Sequence, residues 1–565
     1  MKFSQMEYKR PDFEKTYAKY EDLLANFKAA KTADECFAAY KEINDFDVIL
    51  ESMFELATIR KSLNTKDELY AAEDEYLEEI EPELEEVAQE ISRALLESPF
   101  RKEMEDAWGK QMFTNLEMEM KTFAPEVIDD LQEENELSSQ WADMMASAVI
   151  VFDGKEHNFP EMEVYRQSLD REVRKRAAHA CSDWFIERSE QFDNIFDALV
   201  KVRTRIARKL GYENFIELGY HRMQRSYDQD MVAKLREDIL KYFVPITTKL
   251  RDEQAKRIGV PSITAIDGIS YPDGNPTPKG TPEEIFAHCK KMYEALSGEA
   301  ADFINFMLEN ELMDVLTRPN KEVIGYMTYI PMHKAPFIFA NFNGTSQDIY
   351  ILTHEAGHGY AAYVTNVAKD TYPHQLMSWP EDICEIHGMA MEFLAWPWME
   401  GFFGEGTKKY YHSHLSTTVR TMSYSAMADE FQHLVYASPE MTPTERNALW
   451  LSLHEKYRPY DMADIPYLEQ GRSWHADDHI FECPFLYIDY CVAGVVALHF
   501  WVLSQKDFNV AWEKYNQLIQ FGGTKTLVDL LAACDLPNPF EPGNLQRAAD
   551  EALKWFEANS DLKYM

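Results

Sequence analysis

The chain is short of most of what secretion, membrane insertion or nucleic-acid binding requires. Its 565 residues include only seven cysteines, at 36, 181, 289, 384, 483, 491 and 534. The count is odd and no CxxC pair occurs, so a disulfide framework is not indicated. The opening stretch MKFSQMEYKRPDF has no apolar segment of the signal-peptide kind, and no run of about 18 apolar residues stands out, so a membrane span is not expected. Positive charge is scarce: 57 Lys and Arg against 97 Asp and Glu leave a net charge of −40. A polyanion is repelled by phosphate backbones, which argues against nucleic-acid partners. These absences lead us to expect a soluble protein of a reducing cytoplasm. Most of the acidic excess reads as solvated surface; a negative cleft that attracts cationic peptides is the functional alternative.

What is present is enough to bury a large core: 45% of the residues are hydrophobic and 13% aromatic. The length suits two to four domains, or one large helical body with a cleft. Residues 11–145 read almost continuously as amphipathic helix. Within Asp67–Glu97, Leu69, Tyr76, Ile80, Leu84 and Val87 recur at helical spacing among many acids, and Pro82 predicts a kink or a break between two helices. Asp153-Gly154 follows the apolar run 148–152 and predicts a hairpin. Helical pattern resumes over 160–254. Residues 259–283 are rich in Pro, Gly and Asp and must be largely loop, a length that tends to line a cleft. A further helix is expected over 282–311. Two strand-like runs follow, Val323–Ile330 and Phe337–Phe342, the second closing at Asn343-Gly344. Everything after Asp348 reads as helices with short loops. The class is mainly α, with a small β element just ahead of the segment that carries chemistry.

That segment is His354-Glu355-Ala356-Gly357-His358, an HExxH pattern. On a helix, residues i and i+4 project from one face about 6 Å apart along the axis, so the two histidines can share a metal. A catalytic zinc takes three protein ligands and leaves one position for water. Gly357 costs a helix about 1 kcal/mol relative to Ala, which close approach of another segment would justify. A metzincin needs Gly at 361 and His at 364, where this chain has Ala361 and Val364. A thermolysin-like glutamate near 378 is replaced by Ser378. The third ligand is then sought in the helix starting at Trp379-Pro380, where Glu381, Asp382, Glu385 and His387 are all candidates. Glu392 falls on the same helical face as Glu385, where it can orient a histidine ligand. Glu355 is not a ligand in this reading; zinc lowers the pKa of a bound water, and Glu355 is the general base that takes its proton.

HExxH followed by a helix with two glutamates one heptad apart resembles the thimet oligopeptidase and oligoendopeptidase F family. That likeness implies Glu385 as the third zinc ligand, with one Zn2+ per chain. A second segment, 474–490, carries two histidines and two tyrosines, and resembles the family's stretch of a histidine followed by helical tyrosines. It implies that His479, Tyr487 and Tyr490 take part in stabilising the transition state and contacting substrate, without choosing which tyrosine faces the oxyanion; His475 stays outside the catalytic set. The run 337–345 looks like the family's substrate-binding edge strand and glycine loop, which implies substrate contacts at Phe339, Ala340, Asn341 and Gly344 through main-chain hydrogen bonds. Segments 208–215 and 271–276 are similar to the shorter, Pz-peptidase-like bacterial members.

The resemblance implies a helical zincin-type body with a deep central channel and a small β-sheet beside the active-site helix. Residues 1–200 would be a helical region forming one channel wall, and 201–565 the zinc peptidase region. Its substrates would be short unstructured peptides. The runner-up is a zinc carboxypeptidase of similar fold, in which Lys334, Arg420 or Arg472 would hold a terminal carboxylate. A non-catalytic helical binding protein with a fortuitous motif is the third reading.

Overall fold

The computed structural model of the chain describes residues 1–369, 372–374 and 379–559; Ser378, the thermolysin-like position, lies outside them. Helices dominate, with two small sheets. Local chemistry starts many of them. Asp170 caps the 39-residue helix Arg171–Lys209 by accepting from Glu172 N–H, and Thr281 with Glu284 forms a capping box ahead of Pro282–Leu296. The helix expected over 282–311 is two helices, because Ser297 ends one and caps Gly298–Glu309. Helix Glu68–Glu97 runs through Pro82 as one helix, so the break that the sequence allowed there does not occur. Proline removes one backbone hydrogen bond there, while Leu77, Ile80, Leu84 and Val87 stay buried on one face and hold the helix together.

The hairpin forms where the Asp-Gly signal placed it. Strand β1 (Ile150–Phe152) pairs antiparallel with β2 (Lys155–His157), and Asp153 and Gly154 both take the positive φ that such a turn demands. The second sheet has three strands: β3 (Met313–Leu316), β4 (Tyr326–Ile330) and β5 (Ala335–Phe342), in the order β3-β5-β4. β3 runs parallel to β5, and β4 antiparallel. β5 is therefore the central strand, not the edge that the sequence suggested. The free edge on the β4 side is β4 itself.

Two apolar cores are present. The smaller draws only on residues between Tyr20 and Leu116; the larger gathers residues from Met6 and Phe123 through to Phe556. At the centre of the larger lies Tyr487–Lys506, the one stretch among the described residues long and apolar enough to cross a membrane, with mean hydropathy 1.5. This overturns the expectation that no such run exists. Some 72% of it is buried inside the protein, packed among the helices Glu381–Leu394, Thr407–Ala437 and Phe508–Ile519. A helix that is apolar all round suits an interior position.

Candidate metal centre

HExxH occupies the helix Gln347–Ala362, here the motif helix. It lies against Glu381–Leu394, the glutamate helix, and two glycines set their separation. A Cβ on Gly357 would come within 2.5 Å of the His387 carbonyl oxygen, and one on Gly388 within 2.6 Å of the His354 ring. This is the close approach that justifies a glycine inside each helix.

Of the four candidate third ligands, the helix contact brings Glu385 to the two histidines. His354, His358 and Glu385 each present one donor atom to a common point, all within 4.8 Å of one another. His354 Nε2 is 3.4 Å from Glu385 Oε2, and that oxygen is buried without a hydrogen-bond partner. Glu381 is exposed at the helix start. Asp382 points towards the buried pair Asp489 and Arg225. His387 sits edge-on to Trp379, 4.7 Å between ring centroids.

Glu392 is fully buried and orients the first histidine. Its Oε1 is 2.6 Å from His354 Nδ1 and its Oε2 is 2.8 Å from His414 Nε2. The Trp396 indole N–H can only donate, and it donates to His414 Nδ1 at 3.0 Å. His414 Nε2 therefore carries the proton and donates to Glu392. Glu392 Oε1 in turn accepts from His354 Nδ1–H, which leaves the His354 Nε2 lone pair facing Glu385. A buried carboxylate oxygen without a donor, beside two imidazoles, is a donor set that fits a zinc ion.

Glu355 is buried next to this point. Burial pushes its carboxyl up to about 7; the His354 charge opposes the shift, and Glu385 and Glu392 add to it. A bound dication would draw it back down. A Cβ on Gly325, one residue ahead of β4, would sit 3.8 Å from Glu355 Oε1. The free edge of the sheet thus begins at the candidate base.

The second constellation is held by buried cations. Arg203 binds Glu134, Tyr436 and the carbonyls of Ile480 and Phe481. Arg225 binds Asp489 and the Phe485 carbonyl. Between these anchors, His479 Nε2 meets the Tyr490 hydroxyl at 2.9 Å. The charges of Glu385 and Glu355 are among those that raise the Tyr490 hydroxyl's pKa, after burial. Tyr487 faces another way, with Asp477 and Tyr424 as its charged and aromatic neighbours. His475 is buried on Asp193 at 3.0 Å, a structural partner.

Known proteins resemble this chain over most of its length. The model of peptidase family M3 matches residues 299–548, and that of the M3 N-terminal domain matches residues 3–123. A Pz peptidase A with a bound inhibitor is 42% identical, with a TM-score of 0.97 over 99% of both chains. The chain belongs to peptidase family M3. A protein assigned as an oligoendopeptidase F, from Bacillus anthracis strain Ames, is 40% identical, with a TM-score of 0.92 over 100% of this chain and 99% of that one. Oligopeptidase PepF of Bacillus subtilis strain 168 is 22% identical over 405 residues, and the match spans 58% of that relative's length.

In this M3 peptidase the residues expected to line an edge strand lie in, or just after, the central strand β5. Phe339 and Ala340 are buried in central β5. The Phe339 ring stacks on Tyr326 at 4.8 Å, and the Ala340 carbonyl accepts from Lys321. Asn341 Nδ2 donates to the carbonyls of Glu322 and Ile324, at 2.7 and 2.9 Å. Gly344 N–H donates to Asp348 at 2.8 Å and so ties its loop to the first turn of the motif helix. Two cavities run along the β4 side instead. One of about 610 Å³ lies between β4 and helices carrying Glu55, Asp74 and Glu78; one of about 390 Å³ continues past Asp478 to Arg166 and Tyr467. His414, Gly388 and Gly325 are the site residues that sequence reasoning missed. Only Gly388, at a helical position opposite Gly357, left any signal in the pattern.

Proposed function

We propose that this chain is a zinc-dependent endopeptidase that hydrolyses short, unstructured peptides. The observation that carries the reading is the convergence of His354, His358 and the unpartnered Glu385 oxygen beside the buried Glu355 carboxylate. When bound, zinc supplies a Lewis acid that polarises the scissile carbonyl and acidifies a water molecule. Glu355 takes the proton of the attacking water and later gives it to the leaving amine. The Tyr490 hydroxyl, fixed by His479, donates to the developing oxyanion. Tyr487, one turn earlier at the start of the same helix and beside Tyr424 and Asp477, contacts the substrate. An extended peptide pairs with the free edge of β4, so recognition is mainly of backbone. Residues 1–200 supply the opposite channel wall, from which Glu55 and Glu78 face the cavity.

Glu355→Gln tests the assignment. Zinc should remain stoichiometric by elemental analysis, while kcat falls by about 10²–10⁴. Undiminished hydrolysis by that variant would remove Glu355 from the mechanism. A peptide blocked at both ends separates the readings: an endopeptidase still cleaves it, and a carboxypeptidase does not.

A further inference from the structure

Two carboxyl groups buried beside the metal centre have no part in the mechanism above. Asp382 lies in the first turn of the glutamate helix, one turn ahead of Glu385, and Asp489 stands next to Tyr490 on the helix Tyr487–Lys506. They are 3% and 1% exposed, and their two helices pack directly against each other. Asp489 Oδ1 is matched twice, by Arg225 Nη2 and by the Tyr227 hydroxyl, each at 2.9 Å. Asp489 Oδ2 and Asp382 Oδ1 are both buried and accept from no donor. After burial, the charge of Asp489 does most to push the Asp382 carboxyl up, and Arg225 opposes it.

One cation does not serve both. Arg225 uses a single nitrogen, Nη2, for Asp489 and the Phe485 carbonyl. Its guanidinium carbon lies 4.9 and 5.7 Å from the ring centroids of Tyr220 and Tyr227, and its Nε and Nη1 meet no acceptor. Among the described residues Asp382 has no cation within 4.0 Å. The remaining charges do not redress the balance. Glu381 adds to the negative side, and Asp429, which also acts on Arg225, is matched by Arg236. The thiols of Cys384 and Cys491 are pushed up and stay neutral. Two carboxyl groups therefore face one guanidinium, with one negative charge in excess. A helix start favours an ionised Asp382, but that effect is small beside the cost of burying a second unpaired charge. A single proton removes the excess and gives both orphaned oxygens a partner at once.

We propose that Asp382 and Asp489 share one proton, and that this hydrogen bond is a latch positioning the helix of Glu385 against the helix of Tyr490. This rests on the peptidase reading above and adds a positioning pair to it. Neither carboxyl touches substrate; the latch keeps the third ligand and the oxyanion donor in register. Loss of the proton leaves two facing anions, which push the helices apart. Burial and the Asp489 charge bring the Asp382 carboxyl up to about 8. The latch is therefore closed at neutral pH and opens as the pH rises through that value, and the stability it contributes is lost over the same range.

The test compares kcat at pH 7 and pH 9 for the zinc-loaded unmodified protein, Asp382→Asn and Asp382→Ala, on a peptide blocked at both ends. An amide does not ionise and still donates to Asp489 Oδ2. Every other titrating group is common to the three proteins, so its effect cancels when their pH ratios are compared. The unmodified protein should lose about tenfold in kcat from pH 7 to pH 9, and Asp382→Asn should lose at least about fivefold less. Asp382→Ala removes the link, so kcat at pH 7 should fall by about 10–100-fold with zinc kept and KM little changed, and asparagine should restore most of it. A packing role alone would lower kcat in both variants without moving the pH ratio, and would overturn the proposal. A flat kcat in the unmodified protein would overturn it whether or not the variants fold. So would a second metal per chain that Asp382→Asn removes, or loss of the first in Asp382→Ala. Infrared spectra of the same zinc-loaded proteins read the proton without turnover: a protonated carboxyl band present at pH 7 should be missing in Asp382→Asn, and an unchanged spectrum would overturn the latch. Failure of Glu355→Gln to lose hydrolysis would strike the mechanism alone; an unchanged infrared spectrum would strike the latch alone.

Discussion

The candidate metal centre and the cluster of Arg251, Arg257, Arg420 and Arg458 are both dense in charge, but their polar atoms are matched in opposite ways. Around His354 the polar atoms that face away from the metal position are matched: Nδ1 by Glu392, Glu392 by His414, and His414 by Trp396. What stays open is a small set of lone pairs, on His354, His358 and Glu385, converging on one point. Around Arg420 the matched atoms are few and neutral, and what stays open is a set of N–H donors. A metal is held by directed lone pairs at fixed distances, and the protein must lock every ring before it arrives.

Breaking the metal pocket should have the largest effect. Glu385→Ala removes an anionic ligand and leaves two imidazoles, so the purified protein should lose stoichiometric zinc and at least about 10³ in kcat/KM. Stoichiometric zinc retained by that variant would point instead to Asp382 or Glu381. Next comes the pair of tyrosines. Tyr490→Phe should lower kcat by about 10²–10³ with little change in KM, as the loss of one oxyanion donor does. Tyr487→Phe should act mainly on KM. The reverse pattern would exchange their roles. A smaller effect is expected at Glu392. An amide offers one acceptor oxygen to the two histidine N–H groups that Glu392 accepts from, so Glu392→Gln leaves one N–H facing NH2. Zinc affinity should drop by about 10–100-fold in competition with a chelator, and an unchanged affinity would rule out the orienting role.

How much of this was legible in the sequence depends on how local each signal is. HExxH, the Asp-Gly hairpin and the mainly helical pattern are local, and all appear in the structure as expected. The candidate third ligand was legible only as a set of four residues, with Glu385 singled out by resemblance. Its choice depends on how the glutamate helix is rotated, and that is set by Gly357 against His387 and Gly388 against His354. Tyr487 and Tyr490 are three apart on one helix, and spacing alone cannot say which faces Glu385. β5 was misjudged as an edge because its parallel partner β3 is a four-residue strand with no strong pattern. The arginine cluster was invisible because its members stand at 251, 257, 420 and 458, and only folding brings them together. The apolar helix Tyr487–Lys506 was missed as a run because Tyr, His and Trp punctuate it.

Asn341 gives the finest test of whether matched atoms hold the structure while open atoms bind. Its amide ties the carbonyls of Glu322 and Ile324, and so fixes the segment that leads through Gly325 into β4 beside Glu355. If this is its whole part, Asn341→Ala strands two largely buried carbonyls and costs about 1–3 kcal/mol of stability, seen as a lower denaturation midpoint. With β4 still paired to β5 along five residue pairs, kcat/KM should stay within about tenfold. A hundredfold loss of kcat/KM at unchanged stability would show instead that the Asn341 side chain meets the substrate. That outcome would return peptide binding to the strand the sequence first suggested, and would make a matched donor part of the binding surface. Because stability and turnover are read on the same variant, each result excludes the other.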